Sequence, residues 1–162
     1  MITLRPAVTQ DIDFILAQEA RDDFRQLIGR YSQEEHQQNL QDPNKCYLMI
    51  EDDHQKTLGF VILNDINSEH RSILLQRIAI AEPGKGHGKQ ALRLVIKKVF
   101  EEYNAHRFWL DVFVENSRAR HVYKSLGFQE EGILRDAWRQ EGIYASQAIM
   151  SILEHEYRAL ED

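Results

Sequence analysis

Short apolar runs separated by polar turns dominate the chain, and their order predicts a fold of mixed α and β elements. Ile2 to Arg5 reads as a short strand. Thr9, followed by Asp11 and Asp13, has the look of an N-cap with acidic residues at the positive end of a helix that runs through about Ala20. Ser32 and Glu35 have capping-box spacing and open a second helix that ends before Pro43. Cys46 to Glu51 and Leu58 to Leu63, joined by Asp52-Asp53-His54-Gln55-Lys56, read as a hairpin. Ser72 to Ile80 is a further strand, followed by a glycine-rich turn. Leu92, Val95, Ile96, Val99 and Phe100 then recur at the spacing of one buried helical face, which predicts a helix from about Gly88 to Glu102. Arg107 to Val114 reads as a strand and Ser117 to Leu126 as a short helix stopped by Gly127. Phe128 to Leu134 and Tyr144 to Leu153 are the closing strands. With two strand–helix–strand passages in the second half, the class is α+β, a single domain over 1–162.

Composition narrows the choice of function. A chain of 162 residues buries about two-thirds of its unfolded surface without metals or disulfides. Its 20 basic and 26 acidic side chains leave a net charge of −6, which argues against unaided nucleic-acid binding and suits a neutral or cationic small substrate. No apolar run is long enough to span a membrane, and no signal-peptide pattern opens the chain. The lone Cys46 permits no internal disulfide and fits a reducing cytoplasm; inside Cys46-Tyr47-Leu48-Met49-Ile50 it reads as a small core residue rather than a nucleophile. The seven histidines form neither an HExxH motif nor a cluster with cysteine, so no metal is expected.

The sharpest chemical signal is Ile78-Ala79-Ile80-Ala81-Glu82-Pro83-Gly84-Lys85-Gly86-His87-Gly88-Lys89. A strand feeds three glycines at alternate positions, and a helix begins at once. Without Cβ atoms such a turn adopts positive φ and lets a ligand approach its backbone. The first N–H groups of the helix are free and sit at the positive end of its dipole, a site for phosphate or pyrophosphate to which Lys85 and Lys89 would add charge. The GxxxxGK[ST] of a P-loop is absent. The spacing is GxGxG rather than the GxGxxG of a dinucleotide site, although Asp111 on the next strand imitates that site's ribose-binding acid. Coenzyme A, whose pyrophosphate needs the same cradle, is the third candidate, and a tight turn that binds nothing is the fourth.

Downstream, Asn116 and Tyr123 stand seven residues apart, which returns them to within about 20° of one helix face, shared with Ala119, Val122 and Leu126. Asn116 suits an N-cap, a role that can coexist with ligand contact, and Tyr123 suits a packed aromatic.

Taken together, these segments resemble the GCN5-related N-acetyltransferase (GNAT) superfamily over essentially the whole chain. Its acetyl-CoA motif, [Q/R]xxGx[G/A], falls on Pro83 to Gly88, and its Asn…Tyr…Gly-Phe signature on Asn116, Tyr123, Gly127 and Phe128. Glu131-Gly132-Ile133-Leu134-Arg135 through Met150-Ser151-Ile152-Leu153 is similar to the branch of ribosomal-protein and spermidine N-acetyltransferases. One departure is Pro83, where the family has Gln or Arg; proline removes a backbone donor and a polar side chain.

The resemblance implies a mostly antiparallel twisted sheet of about seven strands, with a parallel V-shaped splay in the middle and about four flanking helices. It implies acetyl-CoA as co-substrate, no metal, and direct attack by a primary amine: a polyamine, an amino-acid-like molecule or a protein N-terminus. Ile78, Ala79 and Ile80 would meet the pantetheine arm, Gly84, Lys85, Gly86, His87, Gly88 and Lys89 the pyrophosphate, and Asn116 the cofactor. Tyr123 would be the general acid. Asp111 matches a carboxylate proposed as base in ribosomal-protein alanine acetyltransferases, or else holds a loop or pairs with Arg107. The Glu that many relatives carry before the glycine turn is replaced here by Ile73-Leu74-Leu75. Glu19, Asp22, Asp23 and Asp136 would attract a cationic substrate or be merely solvated. A homodimer would be ordinary among such proteins, and neither nucleic acid nor membrane is expected as a partner. The rival readings are a non-catalytic acetyl-CoA-binding module on the same fold and a nicotinamide-dependent oxidoreductase; Tyr123 disfavours the first and the glycine spacing the second.

Overall fold

The computed structural model describes residues 1–21 and 30–161. The chain forms β1 (Thr3–Pro6), α1 (Ile12–Glu19), α2 (Gln33–Leu40), β2 (Lys45–Glu51), β3 (Thr57–Asn64), β4 (Ser72–Ile80), α3 (His87–Glu101), β5 (Arg107–Phe113), α4 (Ser117–Ser125), β6 (Gln129–Gln140), β7 (Ile143–Leu153) and α5 (Glu154–Glu161). The seven strands make one sheet in the order β1-β2-β3-β4-β5-β7-β6. Every neighbouring pair is antiparallel except β4 and β5, which are parallel because α3 carries the chain back between them.

Local chemistry explains most boundaries. At the start of α2, Ser32 Oγ accepts the Glu35 N–H at 3.1 Å, and the Glu35 carboxylate accepts the Ser32 N–H at 3.0 Å, the reciprocal box expected from their spacing. The start of α1 differs from expectation. Thr9 does not cap it; a 3₁₀ turn over Thr9–Asp11 intervenes, and the Asp11 carboxylate takes the Val8 N–H while also accepting from both Nη atoms of Arg5. Asp11 is thus the more useful acceptor because Arg5 on β1 fixes its position. Two elements exceed what the apolar pattern suggested. β6 continues past Leu134 to Gln140 because the ladder with β7 sets its length, while the side chains of the added stretch are mostly exposed and, Ala137 and Trp138 apart, polar. α5 was not foreseen: its eight residues are anchored chiefly by Tyr157, which stacks on Phe100 at 4.9 Å and donates to the Glu101 carboxylate at 2.6 Å.

Side chains on the two faces of the sheet form two cores. Leu48, Ile50, Val61, Leu63, Ile73 and Leu75 pack against α3 through Leu92, Val95, Ile96 and Val99. Tyr47, Met49, Phe60, Ile62 and Ala79 pack on the other face around Ile15 of α1. The period-2 alternation of strands thereby assigns each β residue to an α3 face or an α1 face. Cys46 is half-buried beside the larger core and accepts a long hydrogen bond from Tyr103 Oη at 3.3 Å; burial pushes its thiol pKa up.

Candidate active site

The parallel pairing of β4 and β5 lasts for three residues, Ser72↔Arg107 to Leu74↔Trp109, and then fails. The cause lies in β4. Against β3, Leu75 pairs with Leu63 and Arg77 with Ile62, so Gln76 is the extra residue of a β-bulge. The bulge bends β4 and inverts its alternation: Ile73 and Leu75 belong to the α3 face, but beyond it Ile78 and Ile80 do, while Ala79 turns to α1. From Leu75 onward β4 pairs only with β3, and β5 from Leu110 only with β7. Between them opens a cavity of about 880 Å³.

Along the open edge of β4, the Ala81 N–H donates to Leu58 O of β3 at 2.8 Å. Successive amides of a strand point in opposite directions, so the N–H groups of Ile80 and Ile78 face the gap. Arg21 donates to the Ala81 carbonyl at 2.5 Å and holds that end of the strand.

Next comes the glycine turn. Gly84 has φ 88° and Gly86 φ 78°, left-handed conformations that cost a residue with a Cβ about 1–2 kcal/mol. A methyl group built on either would meet nothing within 4 Å, so the backbone lies bare toward the cavity. Gly86 is the N-cap of α3, and the first intrahelical bond is Gln90 N–H to Gly86 O. The amides of His87, Gly88 and Lys89 are therefore the free first-turn donors. His87 Nδ1 is buried with no hydrogen-bond partner among the described residues. These features fit a diphosphate. Lys85 is the one expected contact that does not line the cavity; exposed, it pairs with Glu82 at 2.9 Å.

The remaining expected residues, Ile78, Ala79, Ile80, Gly84, Gly86, His87, Gly88, Lys89, Asp111, Asn116 and Tyr123, all line this one cavity. Asn116 caps α4, its Oδ1 accepting the Ala119 N–H at 3.2 Å. Two turns on, Tyr123 packs on the α3-face core, edge-on to Phe128 at 5.6 Å. Burial raises its phenol pKa to about 12, and the Asp111 carboxylate adds to the rise. Asp111 comes from the other side, because Leu110 and Val112 fill the α3 face and the residue between them points away from it. It does not pair with Arg107, whose guanidinium holds Glu131. The Gln147 amide donates to it at 3.5 Å, and desolvation by burial raises its pKa.

The α1 face of the cavity holds residues the sequence did not single out: Tyr31, Gln76, Arg77, Phe113, Trp138 and Gln147. A signal was present, since Gln76-Arg77 interrupts the apolar run of β4, as a bulge does. Arg77 is 8% exposed and binds Glu19, which is 2% exposed. The other Glu19 oxygen lies 2.6 Å from His36 Nε2, and His36 Nδ1 lies 2.8 Å from Tyr47 Oη, which also receives the Asn39 amide. Glu19 is thus neither solvated nor free for a substrate cation. Asp136 lies off the cavity wall, and Asp22 and Asp23 fall outside the described residues.

The chain is similar in sequence and fold to known proteins. The family model described as Acetyltransferase (GNAT) family matches residues 15–128. The spermidine N(1)-acetyltransferase of Vibrio cholerae is 32% identical over 126 residues, which cover 77% of this chain and 73% of that protein. Its counterpart from Escherichia coli K12 is 34% identical over 122 residues, 75% of this chain and 65% of that one. A crystal structure of spermidine N-acetyltransferase from Vibrio cholerae in complex with CoA and spermine superposes with a TM-score of 0.89 at 29% identity, over 97% of this chain and 98% of that one.

Proposed function

The chain belongs to the GNAT acetyltransferase family and is an acetyl-CoA-dependent N-acetyltransferase, and on that footing we propose that it acetylates a polyamine, working as a single cytoplasmic domain. The acceptor enters from the α1 face of the splayed sheet and acetyl-CoA from the α3 face. The observation that carries this reading is the meeting of Asp111 and Tyr123 in one cavity from opposite faces. The relatives named for spermidine support the acceptor class, as does the solved relative holding spermine. Of the two carboxylates among the described residues of the cavity wall, Glu82 is held by Lys56 and Lys85, so Asp111 is the one offered to a cationic acceptor, while the basic Lys89 and Arg118 suit the diphosphate.

Acetyl-CoA supplies an acetyl group activated as a thioester. The first-turn amides of α3 and Lys89 hold its diphosphate, with Gly84 and Gly86 keeping the approach open. An N–H from Ile78 or Ile80 donates to the thioester carbonyl, a preorganised contact that contributes on the order of 3 kcal/mol as charge develops there. Asp111 takes one proton from the ammonium, so that the nitrogen lone pair can form the C–N bond. Tyr123 Oη gives its proton to the sulfur as the C–S bond breaks and regains one from the new amide nitrogen.

The test is thiol release from acetyl-CoA across spermidine, spermine, amino acids, aminoglycosides and peptides with free N-termini. Spermidine or spermine should react fastest. A peptide or an aminoglycoside in first place would replace the acceptor class, and binding of acetyl-CoA with no thiol release would make the protein a binding module.

A further inference from the structure

We propose that the hydroxyl of Tyr31 orients the acceptor amine, accepting one of its N–H groups on the α1 side of the cavity and turning the nitrogen lone pair toward the acetyl carbon. This rests on the acetyltransferase reading above and adds to it a specific acceptor contact.

Gln76 provides the first argument. Its Oε1 receives Lys45 Nζ at 3.1 Å, and an ammonium can only donate, so this end of the amide is the oxygen. Its Nε2 therefore donates to Tyr31 Oη, which acts as an acceptor there. The phenol oxygen is left with a second lone pair and its own proton, and no other partner among the described residues takes them. Gln76 is the bulge residue, so the distortion that opens the cavity also anchors this hydroxyl.

The second argument is what surrounds the ring. The Arg77 guanidinium covers one face at 4.6 Å from the centroid, clamped by Glu19. His36 packs edge-on to the ring at 5.4 Å. With one face taken by a guanidinium, the hydroxyl is the ring's hydrogen-bonding point for an amine. A ring held at face, edge and hydroxyl is preorganised, and binding loses little side-chain entropy in using it. Packing alone does not call for the hydroxyl, since phenylalanine would fill the same space under Arg77.

Tyr31→Phe therefore tests the role without disturbing the fold. Steady-state kinetics use the polyamine that the wild type acetylates fastest. The KM for that amine should rise about tenfold, the loss of one hydrogen bond to a charged or polarised partner, while kcat changes less and the KM for acetyl-CoA stays within about twofold. Gln76→Met keeps the hydroxyl but frees it, and should raise the amine KM about threefold in the same direction. An amine KM unmoved by Tyr31→Phe overturns the inference, as does an equal rise in both KM values. No turnover by the wild type with any amine of the panel overturns the acetyltransferase reading itself and this inference with it.

Discussion

Tyr123 on α4 and Asp111 on β5 reach the same cavity from opposite faces of the sheet, and the carboxylate's charge adds to burial in holding the phenol proton. With a pKa of about 12 the phenol stays protonated, the form a general acid needs, throughout the pH range of ordinary assays. The activity profile should therefore show no alkaline fall from this group until the pH approaches 12. Tyr123→Phe keeps the contact with Phe128 and removes only the proton. Turnover should drop about a hundredfold or more, with acetyl-CoA affinity by calorimetry within about twofold of wild type. Unchanged turnover would end the assignment.

Asp111→Asn should lower kcat/KM at neutral pH by about a hundredfold, and activity should recover as rising pH strips the proton from the free amine. In the proposed base role Asp111 works as the carboxylate, and desolvation raises its pKa. Wild-type activity is thus present above that raised pKa and lost as pH falls through it, at a higher pH than an ordinary aspartate would give. The variant should lack this acid limb. Its Tyr123 phenol should also ionise at a lower pH in ultraviolet titration, since a neighbouring negative charge is gone.

Two glycines separate stability from binding. A Cβ at Gly59 would stand 2.2 Å from the Ala79 carbonyl oxygen, so Gly59→Ala must push β3 and β4 apart and should cost about 2–3 kcal/mol in urea unfolding. Gly86→Ala meets no atom but must hold φ 78°, a cost of about 1–2 kcal/mol, and it places a methyl in the diphosphate cradle. Its acetyl-CoA affinity should fall well beyond that of Gly59→Ala measured at a temperature where both are folded.

The Glu19–Arg77 pair joins α1 to β4 on the α1 face of the sheet. Glu19→Ala leaves the Arg77 charge buried without its partner and should destabilise the protein by about 3–5 kcal/mol. Glu19→Leu combined with Arg77→Met removes both charges and should recover much of that loss. Chemical denaturation of the single and double variants checks the difference, and a double variant no better than the single would show that the pair's charges do not dominate its role.

Where a short stretch of chain carries its own physical instruction, the sequence was readable. The Ser32–Glu35 box, the glycine turn with its two positive φ angles, the face of α3 and the seven-residue step from Asn116 to Tyr123 all depend on neighbours within about two helical turns. Thr9 misled because Arg5, across the β1–α1 turn, made Asp11 the better acceptor. Glu19 misled for a similar reason: nothing nearby in sequence announces that a carboxylate will be buried against Arg77 and His36. α5 and the far end of β6 were invisible because one is anchored mostly by a single ring and the other by a ladder of backbone bonds.

The sequence by itself determined the family, the strand–turn–helix with its glycine turn, and the phenol set on the next helix, since each is written in local residue types and spacings. Only the tertiary structure decided that Asp111 would face Tyr123 through the sheet, that Lys85 would turn outward to Glu82, and that Tyr31, Gln76 and Arg77 would wall the opposite side. The cavity itself and the facing of Gln76 and Arg77 follow from one added residue in β4, whose bulge parts it from β5 and reverses which side chains look up and which look down. Such a shift of register is settled by the pairing partner across the sheet.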